Sequence, residues 1–578
     1  MKRLQGSSIY VFAGAVVLAV MTLCTPALAL TAAIATTTAV PVAPVPNPCA
    51  RFTAGSVIQQ PPALFSSNGV LNVRFSYQQT IDTAGRTLYC FMTPSGLENP
   101  TLHVNPGDTL NITVTNNTPP SPVTEPFNPP NCGDAAMTGS SMNIHYHGTN
   151  TSPACHGDNV TKTLINSHTA TNPGTFQYSL QFPTNEPPGL YWYHPHVHGL
   201  AEPAVYGGAA GALVVDGIQN LQPVVAGMRQ RVLVVRDQLT LQGLPQSVPQ
   251  VPGPVEIPNH DLSVNFVPGD ATTDLNTGVT SFTPAVMPMM PGESQLWRVC
   301  NCTSDTILDL QLLFDGVPQA FQIVGIDGVP VNSQDGTAPG SLIPVTHYRV
   351  PTAGRVEIIA AAPPPTVRVA QLVTQYIDTG PVGDQDPLRP LFNIKLVGND
   401  ASATADDRVG PYSGLAAPSP LFSGIASQPL SATRRLYFSE AADGSAFFIT
   451  VQGQTPITFD NNHPPSIITT QGAIEKWIVQ NTATENHEFH FHQIHFKVLS
   501  QDNFEVNGTQ QSAPMLGQFA DMIELPYWSG NAGTPYPDVQ LLMDFRGAVV
   551  GDFVYHCHIL GHEDLGMMAI IRVLPQSN

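Results

Sequence analysis

Charge is scarce in this chain, and positive charge scarcest. Only 11% of its 578 residues are charged, with 22 Lys and Arg against 42 Asp and Glu, for a formal net charge of −20. That balance repels phosphate backbones and anionic bilayers, so nucleic acid and anionic membranes are excluded as partners. Long helical patterns are missing, while 56 Pro and 47 Gly punctuate the sequence; a helical bundle is excluded and a turn-rich β protein is expected. Long apolar runs are absent except from Ile9 to Leu23, which follows Lys2 and Arg3 and precedes the small-x-small triplet Ala27–Ala29. That order is the pattern of a cleaved signal peptide, residues 1–29, not of a membrane span. A lipoprotein reading through Cys24 is disfavoured by the bulky Leu23 before it. With no later stretch long enough to cross a bilayer, a secreted or periplasmic protein without a membrane span is expected, monomeric rather than oligomeric.

Cysteine is also sparse, at eight residues. Cys24 leaves with the signal. Cys49, Cys90, Cys132, Cys155, Cys300 and Cys302 form an even set compatible with up to three disulfides in an oxidising compartment. Cys132 and Cys155 bracket a loop and are the expected local pair. Cys300 and Cys302, one residue apart, are expected to find partners other than each other. Cys557 remains as the odd thiol, inside "YHCHILGHEDLGMM".

The length suggests about three to four domains. "LHVNPGDTLNITVTNNT", "MPGESQLWRVCNCTSDT" and "TTQGAIEKWIVQNTATENHEF" share one grammar: a glycine turn, an acid, then an alternating strand ending in Asn and small polar residues. Three divergent copies suggest three similar β domains. We expect a flexible tether over 30–48, domains over 49–217, 218–398 and 433–578, and a Pro/Ser/Gly-rich linker over 399–432. The fold class expected is all-β, built from stacked β-sandwiches.

Twelve of the 18 histidines fall in "NIHYHG", "YWYHPHVHG", "NHEFHFHQIH" and "YHCHILGH", at the two ends of the chain. That clustering suggests first and last domains sharing a site. Residues two apart on a strand face one side, so His145 with His147, His194 with His196, and His490 with His492 can each present nitrogens together. His556 and His558 do the same while Cys557 faces the other way, so one strand addresses two sites. One thiolate, two imidazoles and a weak thioether form the blue-copper set; Cys557, His562 and Met567 supply three of these, with His487 the free candidate for the fourth. Structural zinc would more often pair cysteines.

With these four segments the chain resembles the multicopper oxidases, the group that includes laccases, bacterial copper-tolerance oxidases and ascorbate oxidases. The matching motifs are H-x-H-G at 145–148, H-x-H at 194–196, H-x-x-H-x-H at 487–492 and H-C-H-x-x-x-H-x-x-x-x-M at 556–567. The resemblance implies three consecutive cupredoxin-like Greek-key β-sandwiches and four copper ions. It implies His487, Cys557 and His562 at type 1 copper with Met567 axial, and His145 and His490 at type 2. It implies His147, His194, His196, His492, His556 and His558 at the type 3 pair. It further implies one-electron oxidation of a reducing substrate and four-electron reduction of dioxygen to water, with Glu563 and Asp158 as carboxylates for proton supply. Two positions depart from the pattern: Glu488 stands where relatives have proline and Gln493 where they have glycine, which puts the rigidity of that loop in question.

A copper nitrite reductase would lack the type 3 histidines, and a non-enzymatic cupredoxin-fold relative would show gaps in the ligand set. Within the oxidases, a laccase for phenols and aromatic amines competes with a metallo-oxidase for Cu(I), Fe(II) or Mn(II); without a long Met-rich insertion, the organic substrates are favoured. "VMPMMPGES" reads as core packing, and His103, His156, His168, His260, His347 and His463 as surface or satisfied core residues. His198 and His495 read as support around the ligands.

Overall fold

The computed structural model describes residues 41, 43, 48–126, 132–239, 260–274, 279–335, 340–398, 407–411, 420–506, 509–510 and 515–576. The expected signal peptide, nearly all of the tether over 30–48, and positions 399–406 and 412–419 of the second linker lie outside the described residues.

The fold is all-β, with three cupredoxin-like sandwiches. Six large sheets form successive pairs along the chain. The first pair takes strands from Ala63–Phe65 to Gly211–Val215, the second from Arg229–Leu239 to Arg389–Leu396, the third from Ala432–Glu440 to Met568–Leu574. No helix among the described residues is long and apolar enough to cross a membrane.

The three repeated segments occupy the same structural place. Thr109–Asn116, Ser294–Asn301 and Ile474–Asn481 each pair parallel with an earlier strand and antiparallel with a later one. Their terminal asparagines do the same work. Asn116 Nδ2 donates to the carbonyls of Ser140 and Ile165, Asn301 Nδ2 to those of Thr306, Val350 and Pro351, and Asn481 Nδ2 to those of Glu485, Leu525 and Pro526. A buried amide is stable only with such partners, and here it ties off the loop leaving each strand. Trp297 and Trp477, at matching positions, are fully buried and donate to Gln295 and Glu475, two residues back. Burying such a side chain contributes roughly 1.5–3 kcal/mol.

Among the described residues, three disulfides are formed: Cys49–Cys90, Cys132–Cys155 and Cys300–Cys302. The last corrects the expectation that Cys300 and Cys302 pair elsewhere. Residues two apart on a strand share a face, and the chain leaves its strand at Asn301, bringing the two Cα atoms to 5.6 Å, within disulfide reach.

The middle sandwich is tied to the third by buried charge. Arg355, which opens the strand Arg355–Ala361, forms a two-pronged pair with Asp521, in part at 2.7 Å, and Arg355 Nη1 lies 3.6 Å from Asp327. Burial opposes the guanidinium charge, but Asp521 and Asp327 outweigh it and hold Arg355 above its ordinary pKa. Removing one partner of such a pair leaves a bare buried charge. Arg355→Met is therefore expected to destabilise the protein by about 3–5 kcal/mol, read as a lower thermal midpoint; an unchanged midpoint would show that Asp521 needs no counter-charge.

Candidate metal centres

The site is set by one strand register. The strand Gly551–Cys557 lies between His487–Phe491 and Met568–Leu574, with Phe489 opposite Cys557 and His490 opposite His556. A spacing of three flips the face and a spacing of two keeps it. His487 therefore lies on the side of Cys557, while His490 and His492 lie with His556.

On the first side, Cys557 Sγ is 3.8 Å from Nδ1 of both His487 and His562, and those nitrogens are 3.1 Å apart. His562 sits in the short helix Leu560–Asp564, which turns the chain back so that Met567, fully buried, follows within one loop. Its carbonyl accepts from Cys557 N–H at 3.0 Å. Burial lowers His562 to about 3 and His487 well below the imidazole range, and it pushes the Cys557 thiol up. Both rings are therefore neutral at pH 7, with lone pairs available to a metal.

On the other side, eight imidazoles from four strands and loops converge. His145–His147 is the edge strand of its sheet, paired with Gly189–His194 so that His145 faces His194. Ring nitrogens of His147, His194 and His558 lie within 4.8 Å of one another, as do those of His196, His492 and His556, and those of His145, His147 and His490. In His145, His490 and His194 the far nitrogen is already bonded. Nδ1 of His145 donates to Asp158 at 3.0 Å, of His490 to the Asp521 carbonyl at 2.9 Å, and of His194 to the Pro195 carbonyl at 2.9 Å. Their Nε2 atoms are buried with no partner. His147 is reversed: Nε2 donates to Asp521 at 3.1 Å and Nδ1 is bare. Orphaned buried polar atoms each cost about 1–3 kcal/mol. Burial holds all eight rings below the usual imidazole pKa. Neutral, converging nitrogens are the donor set that imidazole-binding metals require, with the tautomers of His145, His147, His194 and His490 fixed from behind.

The carboxylates flank this cluster. Glu563 lies with Oε1 3.4 Å from His196 Nδ1 and Oε2 3.3 Å from His556 Nδ1, and burial raises its pKa well above the carboxylate range. Asp158 accepts from His145, from Tyr146 N–H at 3.3 Å and from Gln493 Nε2 at 2.8 Å, and burial raises it to about 7. The two departures from the family pattern thus tighten the loop. Gln493 holds a positive φ of 59°, where glycine would be at ease, and uses its side chain to fix Asp158. Glu488 reaches Thr352 of the middle sandwich.

Sequence reading missed Asp521, Arg355, Asp327 and Thr352. The available signal was Asp521 itself, an acid between Ala520 and Met522 in an apolar stretch. It missed Glu485 as well, whose Oε1 lies 3.4 Å from His562 Nε2 with no hydrogen-bond partner. His495 donates to the Asp327 carbonyl at 3.0 Å, and His198 packs edge-on against Phe459. His103, His156, His168, His260 and His347 bond Asp216, Gln177, Pro173, Tyr206 and Asp309, and His463 is exposed. Met287 and Met289 are fully buried in the core.

A thiol–imidazole centre joined by one strand to an eight-imidazole cluster between β-sandwiches defines a cupredoxin-type copper oxidase. Sequence-family profiles described as multicopper oxidase match residues 137–220 and 429–577. A laccase of Bacillus subtilis is 22% identical over 400 residues, covering 67% of this chain and 71% of its own length. A multicopper oxidase of Staphylococcus haemolyticus is 22% identical over 402 residues, covering 68% of this chain and 70% of its own. Among solved structures, a variant multicopper oxidase of Aquifex aeolicus superposes with a TM-score of 0.62 at 18% identity, over 90% of this chain and 99% of that one. A multicopper oxidase of Campylobacter jejuni, described as a metallo-oxidase, superposes with a TM-score of 0.59 at 20% identity, over 91% and 96%. The chain thus carries multicopper oxidase domains in its first and third sandwiches and is a copper oxidoreductase with oxygen as acceptor.

Because the rings are neutral and the thiol protonated, loading the apoprotein with Cu(I) at pH 7 is expected to release about one proton, from Cys557. A pH-stat titration would read it, and Cys557→Ser should abolish it. Release of several protons would mean that the imidazoles carry charge.

Proposed function

We propose that this protein couples one-electron oxidation of a small reducing substrate to four-electron reduction of dioxygen to water, as a laccase-like oxidase of phenols or aromatic amines. His487, Cys557 and His562, together with Met567, would hold one copper. His145 and His490 would hold a second, and His147, His194 and His558 with His196, His492 and His556 the remaining two. Bound there, the four ions supply a one-electron acceptor near the surface and a separate site for oxygen reduction. The observation that carries this reading is the alternation His556–Cys557–His558, which puts consecutive residues of one strand on two sites.

The chain's own groups would handle protons. Glu563, neutral by burial and set between His196 and His556, is placed to donate. Asp158 orients His145 and shares its proton. At the opposite end, Glu485 stands beside His562 Nε2, the edge open to substrate, where it can accept the proton that a phenol loses on oxidation. Glu485 hydrogen-bonds Glu440, and Glu440 lines an open cleft of about 550 Å³ with Val382, Ser439, Thr482, Ala483 and Thr484. A second reading, oxidation of Cu(I), Fe(II) or Mn(II), is favoured by the same carboxylates, since Glu485, Glu440 and nearby Asp384 would suit a cation. We further propose an exported monomer whose residues 1–29 are removed, in keeping with three disulfides.

The copper-loaded protein is expected to be blue, and Cys557→Ser to lose both colour and oxidase activity; a colourless, fully loaded wild type would remove the mononuclear site. Glu563→Gln should keep the blue band and its anaerobic bleaching by substrate but slow recolouring in air on the order of a hundredfold. Slow bleaching with normal recolouring would instead assign Glu563 to the substrate side. Glu485→Gln should depress kcat on 2,6-dimethoxyphenol by roughly tenfold or more. A larger loss on Cu(I), Fe(II) or Mn(II), seen mainly in KM, would favour the metal-ion reading.

A further inference from the structure

Residue 488 directly follows His487, where the family pattern has proline. Proline carries no amide hydrogen; glutamate does, and here the hydrogen is spent on sulfur. Glu488 N lies 3.4 Å from Cys557 Sγ, and both residues are fully buried. Burial pushes the thiol up, and the amides of Glu488 and Ile559 act against it by hydrogen-bonding the sulfur.

The amide is held in place from three directions. His558 N–H donates to the Glu488 carbonyl at 2.9 Å. The Glu488 carboxyl takes the Thr352 N–H at 2.9 Å on one oxygen and bonds the Thr352 hydroxyl through the other. That hydroxyl also lies 2.7 Å from the His558 carbonyl. Residue 488 is thus locked to the 557–558 segment by its amide, its carbonyl and, through the middle sandwich, its side chain.

We infer that Glu488 is a positioning residue that raises the reduction potential of the mononuclear copper through its main-chain N–H···Sγ hydrogen bond to Cys557. The inference rests on His487, Cys557 and His562 forming that copper site. A thiolate that accepts a hydrogen bond gives less electron density to the metal. The oxidised ion depends on that donation more than the reduced one, so the reduced state gains. The side chain supplies no part of this effect directly; its bonds to Thr352 keep the amide on the sulfur.

The test compares copper-loaded wild type, Glu488→Pro and Glu488→Gln by redox titration and visible spectroscopy. Glu488→Pro should lower the one-electron equilibrium constant against a fixed mediator on the order of tenfold, about 59 mV, and shift the sulfur-to-copper band to lower energy. Glu488→Gln, which keeps the amide, should hold both values near wild type. An unchanged potential in Glu488→Pro, or equal shifts in the two variants, would overturn the inference. Should the proline variant fail to fold, wild type labelled with nitrogen-15 at glutamate alone decides. Pulsed EPR should then detect a glutamate nitrogen coupled to the copper spin, and no such coupling overturns the inference. A wild type that binds copper without turning blue would instead remove the site assignment on which it rests.

Discussion

The pairing of Phe489 with Cys557 is the constraint on which the site depends. It fixes which residues of two neighbouring strands share a face. His487 and Cys557 go to one side, and His490, His492, His556 and His558 to the other. A slip by one residue would exchange every one of these side chains between faces. Phe489, Phe491, Trp477 and Tyr555 pack around the pairing, all fully buried. Their hydrophobic contacts hold the register that the metal chemistry needs.

Among the described residues, the middle sandwich adds no side chain to either cluster, yet the site cannot be described without it. Arg355 neutralises Asp521, which holds His147 and, through its carbonyl, His490. Thr352 anchors Glu488 and contacts the carbonyl of His558. These contacts show what the middle sandwich supplies to the histidine clusters of its two neighbours. It braces, from outside, the residues that orient the clustered imidazoles.

Burying so many imidazoles has a cost. Eight neutral rings, seven of them with an unpartnered buried nitrogen, and a thiol held protonated, make the apoprotein's centre electrostatically poor. Metal binding relieves these orphaned atoms, so affinity and stability are linked. The carboxylates follow the same logic: burial raises both Glu563 and Asp158 above the ordinary carboxylate range.

Much of this was legible in the sequence. Four histidine windows, the lone Cys557 and the strand period of two suffice for two metal sites on opposite faces, because ligand type and i, i+2 spacing are local properties. The three repeats were legible for the same reason, each ending in an asparagine whose role the folded chain repeats. What required tertiary structure was every contact between distant segments: Asp521 with Arg355 and His147, Glu488 with Thr352, Gln493 with Asp158, and Glu485 beside His562. The Cys300–Cys302 pairing also depended on a local bend that spacing alone does not reveal. Buried acids and their partners carry no spacing rule, since their chemistry comes from desolvation and from neighbours far away in the chain, and only the packed fold creates either.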